Sequence, residues 1–190
     1  ELFESPGVFS WSPPENVDLV LIEAWGAGGG PHGVDWDCGS FDDGWVSNGG
    51  GAGTYVRSYV NVSVDSLYVI EVGNGGYVDG VDCSCCGNEY SNNQNCGGIG
   101  FQGGSTKFSN IVTAQGGKGE SQSNYQDSSV GQIIIWGNQN GTSGPTSGDK
   151  MIGAKSHLAY NWGNGGNGGD GRGCCPCPGQ GGSGRLVIHY

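Results

Sequence analysis

From Gly163 to Gly184 the chain reads GNGGNGGDGRGCCPCPGQGGSG, with eleven glycines, three cysteines and no aliphatic side chain. Glycine gives up more backbone entropy on ordering than any other residue, so such a stretch stays unfolded unless groups outside it impose order. It nevertheless runs straight into RLVIHY (185–190), whose alternation puts Leu186, Ile188 and Tyr190 on one face, as a strand requires. A fold for this chain must therefore order glycine with almost no side chain to bury. Glycines at every second or third position can do this as polyproline II segments, which have three residues per turn and no internal hydrogen bonds. Such segments pack closely and pair through N–H···O and Cα–H···O contacts, so the backbone itself serves as a core. The plainer reading is a set of flexible linkers.

Glycine (42) and proline (7) make up about a quarter of the 190 residues, a level associated with low complexity. Six Trp, eight Tyr and dense Val/Ile/Leu runs argue instead for a folded β core carrying glycine-rich excursions. Strands are expected at 7–12, 17–25, 54–64, 67–72 and 185–190, with shorter ones at 105–109, 111–115 and 132–136. The run VDLVLIEAW (17–25) is apolar on both faces and should be a central strand. Asp65-Ser66 should close a tight hairpin between 54–64 and 67–72. In TYVRSYVNVSV, Val56, Val60, Val62 and Val64 share one face, which leaves Arg57, Tyr59, Asn61 and Ser63 on the other. No segment combines helical periodicity, a cap and sufficient length; the nearest, 150–160, carries Gly153 in its middle. The expectation is a single all-β domain over 1–190, with long glycine-rich loops bearing cysteines at 26–53, 73–104 and 163–184.

The formal charge is −11 with only seven Lys and Arg, which argues against a nucleic-acid partner. No apolar run approaches the ~20 residues of a membrane helix, so no membrane span is expected. Eight cysteines, a first residue other than methionine and the sequons Asn61-Val62-Ser63 and Asn140-Gly141-Thr142 point to an extracellular, secreted glycoprotein. Asn61 falls on the outer face of its strand, where a glycan has room. The triplets Cys83, Cys85, Cys86 and Cys174, Cys175, Cys177 are mirror images, with Cys38 and Cys96 left over. Adjacent cysteines rarely bridge each other, so the simplest pairing joins the triplets by three bridges and Cys38 to Cys96, among many connectivities. Each bridge would shrink the unfolded ensemble of the glycine loops by roughly 2–4 kcal/mol. A thiolate cluster for zinc or copper is the competing reading; secretion and the lack of nearby His count against it, and no cofactor is expected.

Four pieces occur in order: SPGVFSWSPPENVDLVLIEAWGAGGG, GGGAGTYVRSYVNVSVDSLYVIEVGNGG, GGSTKFSNIVTAQGGKG and GGSGRLVIHY. Together they resemble the motifs of the glycine-rich domain family, found in phage tail-fibre proteins and adhesins and in the ectodomain of anaplastic-lymphoma-kinase-type receptors. The resemblance implies a small antiparallel β-sandwich whose loops pack as polyglycine II helices, and a binding or structural duty rather than catalysis. The eight cysteines, the sequons and the acidic loops depart from the phage versions and favour a secreted protein.

Motifs for chemistry are weak. GNGGNG (163–168) and GQGGSG (179–184) fit a dinucleotide fingerprint, but neither follows a strand and opens a helix. The acidic clusters at 35–44 and 79–85 lack calcium-loop spacing and read as solvated loops. No pair of carboxylates is singled out for glycoside hydrolysis, and His32, His157 and His189 lie in separate segments. No enzyme is expected. Trp36, Phe41, Trp45 and Tyr77 sit in glycine-rich loops, where rings either cap the glycine packing or stack on a sugar or a protein partner. In QIIIWG (132–137), Ile133 and Ile135 would share one face of a strand, with Ile134 and Trp136 on the other. An exposed strand of that kind templates pairing with another chain, and ELFE (1–4) could act as the donor in a head-to-tail contact. The expected function is self-association into an extracellular homopolymer, a filament or surface coat. The alternative is an adhesin or lectin-like module recognising a glycan or a cell-surface receptor.

Overall fold

The computed structural model describes residues 1–31, 50–79, 99–119 and 180–190. Ten strands and no helix form among these residues. They are β1 (Leu2–Phe3), β2 (Gly7–Trp11), β3 (Leu19–Trp25), β4 (Tyr55–Asn61), β5 (Tyr68–Val72), β6 (Val78–Asp79), β7 (Ile99–Gly100), β8 (Thr106–Phe108), β9 (Val112–Ala114) and β10 (Arg185–His189). Two four-stranded antiparallel sheets result, sheet A in the order β1-β10-β3-β4 and sheet B in the order β2-β5-β8-β9. β6 and β7 pair separately.

Alternation decides which residues each sheet buries. Val20, Ile22 and Ala24 of β3, Val56 and Val60 of β4, and Leu186 and Ile188 of β10 are buried from sheet A. Trp11, Ile70, Val72, Phe108, Val112 and Ala114 come from sheet B, and the two sets form one hydrophobic cluster. Tyr68 stacks on Phe108 with ring centroids 5.0 Å apart, and Trp11 leans on both. β3 lies between β10 and β4, as its two apolar faces predict.

The hairpin expected at Asp65-Ser66 does not form. β4 pairs with β3 in sheet A, whereas β5 pairs with β2 and β8 in sheet B, so residues 62–67 carry the chain from one sheet to the other. Val62 extends the sheet A ladder by donating to the Asp18 carbonyl (2.8 Å), and the Ser63 N–H donates to the Tyr68 hydroxyl (3.0 Å). Val56 and Val60 thereby join Ile70 and Val72 in one core from opposite sheets, with β4 packed on β9, which a hairpin in a single sheet would not allow. Val64, expected on the buried face, is 47% exposed beyond the strand's end. The ELFE segment pairs within its own chain, with Leu2 opposite Val187 and Phe3 opposite Leu186. The strand expected at 132–136 and the short turn at 150–160 lie outside the described residues.

Candidate functional site

Six strands of the two sheets adjoin glycine-rich segments. β3, β5 and β9 lead out into 26–30, 73–77 and 115–119, while β4, β8 and β10 are entered from 50–54, 100–104 and 180–184. The first of these segments is buried throughout. Its backbone donors follow a period of three. Gly26 and Gly29 donate to Thr54 and Gly51 (2.9 and 2.8 Å), both in the segment before β4. Ala27 and Gly30 donate to Gly104 and Phe101 (3.0 and 2.8 Å), both in the segment before β8. Gly28 donates to Gly182 (2.8 Å), before β10. In return the Ala27 carbonyl accepts from Gly117 (2.7 Å) and the Gly28 carbonyl from Gly76 (2.8 Å).

The surrounding segments also bond one another. Gly51 donates to Lys118, Gly103 to Gly117, Gly104 to Asn74, and Gly181 to Gly76. Gly26–Gly30 therefore sits inside an arc of five neighbours, in the order 50–54, 115–119, 100–104, 73–77, 180–184. A segment with three residues per turn donates in three directions and accepts from three more. Five of those six directions are filled by described residues. Glycine is needed here because backbones touch: a Cβ on Gly76 would fall 2.1 Å from the Phe101 carbonyl oxygen and 2.4 Å from the Gly30 nitrogen. Ala27 and Ala52 are the alanines of these inner segments, and both are fully buried.

One charged cluster lies on the outer face of sheet A, and the sequence alone does not single it out. The Glu23 carboxylate accepts the Tyr55 hydroxyl proton in a hydrogen bond and lies 2.7 Å from His189 Nε2. Arg57 stands opposite Glu23 in the register. Burial pushes the Glu23 carboxyl up, but the hydrogen bonds from Tyr55 and His189 and the nearby cationic groups together hold it below its ordinary value. Burial, and then the same carboxylate, push the Tyr55 phenol up. His189 reads as an ordinary surface histidine until the register places it beside a residue 166 positions away. Above this cluster the Arg185 guanidinium lies 5.4 Å from the Trp25 ring centroid. These groups tie β3, β4 and β10 together. Glu23 is engaged by its neighbours and presents no free carboxylate to a substrate.

Of the residues singled out in the sequence, Asn61 is exposed at the end of β4. Tyr77 is half exposed and stacks on Phe101, with centroids 4.7 Å apart and planes within 12°. Cys38, Cys83, Cys85, Cys86, Cys96, Cys174, Cys175 and Cys177 all lie outside the described residues, as do Asn140, Ile133, Ile134, Ile135, Trp136, Trp36, Phe41 and Trp45. Among the described residues no three or more His, Cys, Asp or Glu gather as a metal site, and no helix is long and apolar enough to cross a membrane. No protein-family model matches the chain, and no curated protein matches it.

Proposed function

We propose that this chain is a non-enzymatic, secreted structural protein that self-associates into an extracellular filament or surface coat, and that it belongs to the glycine-rich domain family it resembles. In this reading the two sheets form a small β-sandwich, the glycine segments pack as polyglycine II helices, and disulfides staple the loops. The observation that carries the reading is the period-three hydrogen bonding of Gly26–Gly30. Backbone held in this way is rigid without a side-chain core and offers no reactive group. Such a body suits a subunit that transmits force or spaces its neighbours. The apolar segment QIIIWG, read from the sequence as an adhesive strand, supplies the means of association in this reading.

Negative-stain imaging and light scattering of the purified, unreduced chain test this. Filaments are the expected result, and a monodisperse monomer at every concentration would overturn it. A second reading, an adhesin or lectin-like module, draws on the half-exposed Tyr77 ring stacked on Phe101 at the edge of the glycine segments. A monomer that binds a glycan array, and loses that binding on Tyr77→Ala, would favour it.

A further inference from the structure

The outer face of sheet A ends in an exposed apolar corner. Leu19 stands opposite Asn61 and Leu21 opposite Tyr59 in the β3–β4 register. Val20, Ile22 and Val60 are buried, so alternation turns these four residues away from the core. Tyr59 is 67% exposed and Leu19 50%. Facing side chains of this kind stand ~4.5–5.5 Å apart at Cβ, and neighbours two residues along one strand about 6.7 Å. Leu19, Leu21 and Tyr59 thus make a contiguous patch about one sugar ring across. Asn61 stands at its rim, in β4, an edge strand of the sheet among the described residues.

Asn61 also opens the sequon Asn61-Val62-Ser63, and both Asn61 and Ser63 are exposed. We propose that Asn61 carries an N-linked glycan whose first N-acetylglucosamine packs on Tyr59 and Leu19 and covers this corner. In the transfer, the Asn61 amide nitrogen attacks the anomeric carbon of a lipid-pyrophosphate-linked N-acetylglucosamine. The carbon–nitrogen bond forms, the bond from that carbon to the pyrophosphate oxygen breaks, and the amide nitrogen gives up one proton. The sugar is amphipathic in the way the patch demands, with a face of ring C–H bonds and an acetamide methyl against Tyr59 and Leu19, and hydroxyls toward water. At the end of an edge strand it also blocks sheet extension along β4. Assembly then proceeds through another surface. The proposal rests on the secreted reading, because only the secretory route supplies the sugar donor.

The test uses the full chain with Asn140→Gln, secreted from a eukaryotic cell and trimmed enzymatically to one N-acetylglucosamine. Intact mass should show that single sugar, and thermal melting should lie about 2–4 °C above that of the Asn61→Gln chain. Tyr59→Ser should reduce the difference to under about 1 °C, and nuclear Overhauser contacts should join the acetamide methyl to the Tyr59 ring in the parent. An unmodified Asn61 in secreted protein, a gain that survives Tyr59→Ser, or missing contacts to Tyr59 would overturn the proposal. If Tyr59→Ser does not fold, the Overhauser contacts decide alone. Protein retained inside its native cells would overturn the secreted reading instead. A monomer bearing a stacked sugar would overturn only the filament.

Discussion

Replacing Gly29 by alanine tests whether backbone contact governs the glycine segments. Gly29 donates to the Gly51 carbonyl at 2.8 Å, and Gly51 donates to the Lys118 carbonyl at 2.8 Å. A Cβ on Gly29 would lie 2.1 Å from that Lys118 oxygen and 2.5 Å from its carbon. Ordinary contact begins at 3.4 Å, so the two segments must separate by about 1.3 Å. A displacement of that size stretches the Gly117 N–H bond to the Ala27 carbonyl (2.7 Å), which joins the two segments directly, and one of the two bonds through Gly51, a loss of roughly 1 kcal/mol each. Overpacking against a neighbour that cannot rotate away adds ~1–3 kcal/mol. Alanine restricts the unfolded chain and offsets about 0.4–1 kcal/mol. The net destabilisation is about 2–4 kcal/mol, or roughly 5–15 °C in melting temperature for a chain of this size.

Denaturant titration and thermal melting of the unreduced protein, followed by near-ultraviolet circular dichroism, read the effect. Gly104→Ala is the graded control. Its Cβ would meet the Asn74 nitrogen at 2.9 Å and nothing nearer, a smaller overlap with backbone, so it should cost about 1–2 kcal/mol, less than Gly29→Ala. Gly29→Ala within ~0.5 kcal/mol of the parent, or no milder result for Gly104→Ala, would refute the close-packed picture.

Four further expectations follow from particular residues. Glu23 titrates below its unfolded value of 4.5, so the stability it contributes is complete above that pH and fades as the pH falls through its folded value. Glu23→Gln should therefore flatten the acid limb of a stability–pH profile below about pH 4.5. Alkylation of the denatured, unreduced chain should find no free thiol, and peptide mapping should join the 83–86 and 174–177 segments; eight free thiols or stoichiometric zinc would refute this. Ile134→Asp combined with Trp136→Ser should abolish assembly and preserve the β-rich circular dichroism, whereas an unfolded double variant would assign 132–136 to the core. Peptide mapping of protein from the native source should find a glycan on Asn61.

The major strands were legible because dense branched runs with clean alternation leave few alternatives. Val56, Val60 and Val62 against Arg57, Tyr59 and Asn61 is such a case, and the structure buries the first three. The crossing at 62–67 was not legible, since a short polar connection looks the same whether the chain turns back in its own sheet or passes to the facing one. β1, β6 and β7 have two residues each, too few to show any period. The Glu23 cluster depends on register, which sequence alone does not give. Tyr55 and Glu23 are not directly opposite one another, and His189 comes from the far end of the chain. Of the candidate site, the sequence pointed to ordered glycine but not to which segments would bond which, because a three-residue backbone period leaves no side-chain trace.

What the sequence does record is the approach to the glycines. Core-facing positions read Ile22, Ala24, Gly26 leaving β3, and Val112, Ala114, Gly116 leaving β9. Read backward from β8 and β10, they run Phe108, Thr106, Gly104 and Ile188, Leu186, Gly184. Sheets separated by side chains stand ~10 Å apart. The Ala27 N–H reaches the Gly104 carbonyl at 3.0 Å, directly joining the continuation of sheet A to that of sheet B. The sheets must therefore converge toward this end, and side-chain volume falls along the strands to let them. Thr106 marks the transition. It is fully buried, and its hydroxyl accepts the Gly73 N–H at 3.2 Å, so a side chain fills a place that a backbone carbonyl takes one turn further on. The glycine segments and the hydrophobic core are thus continuous. The apolar residues fix six strands in space, and the strands deliver six glycine segments already close enough to bond, which removes much of the entropic cost of ordering them.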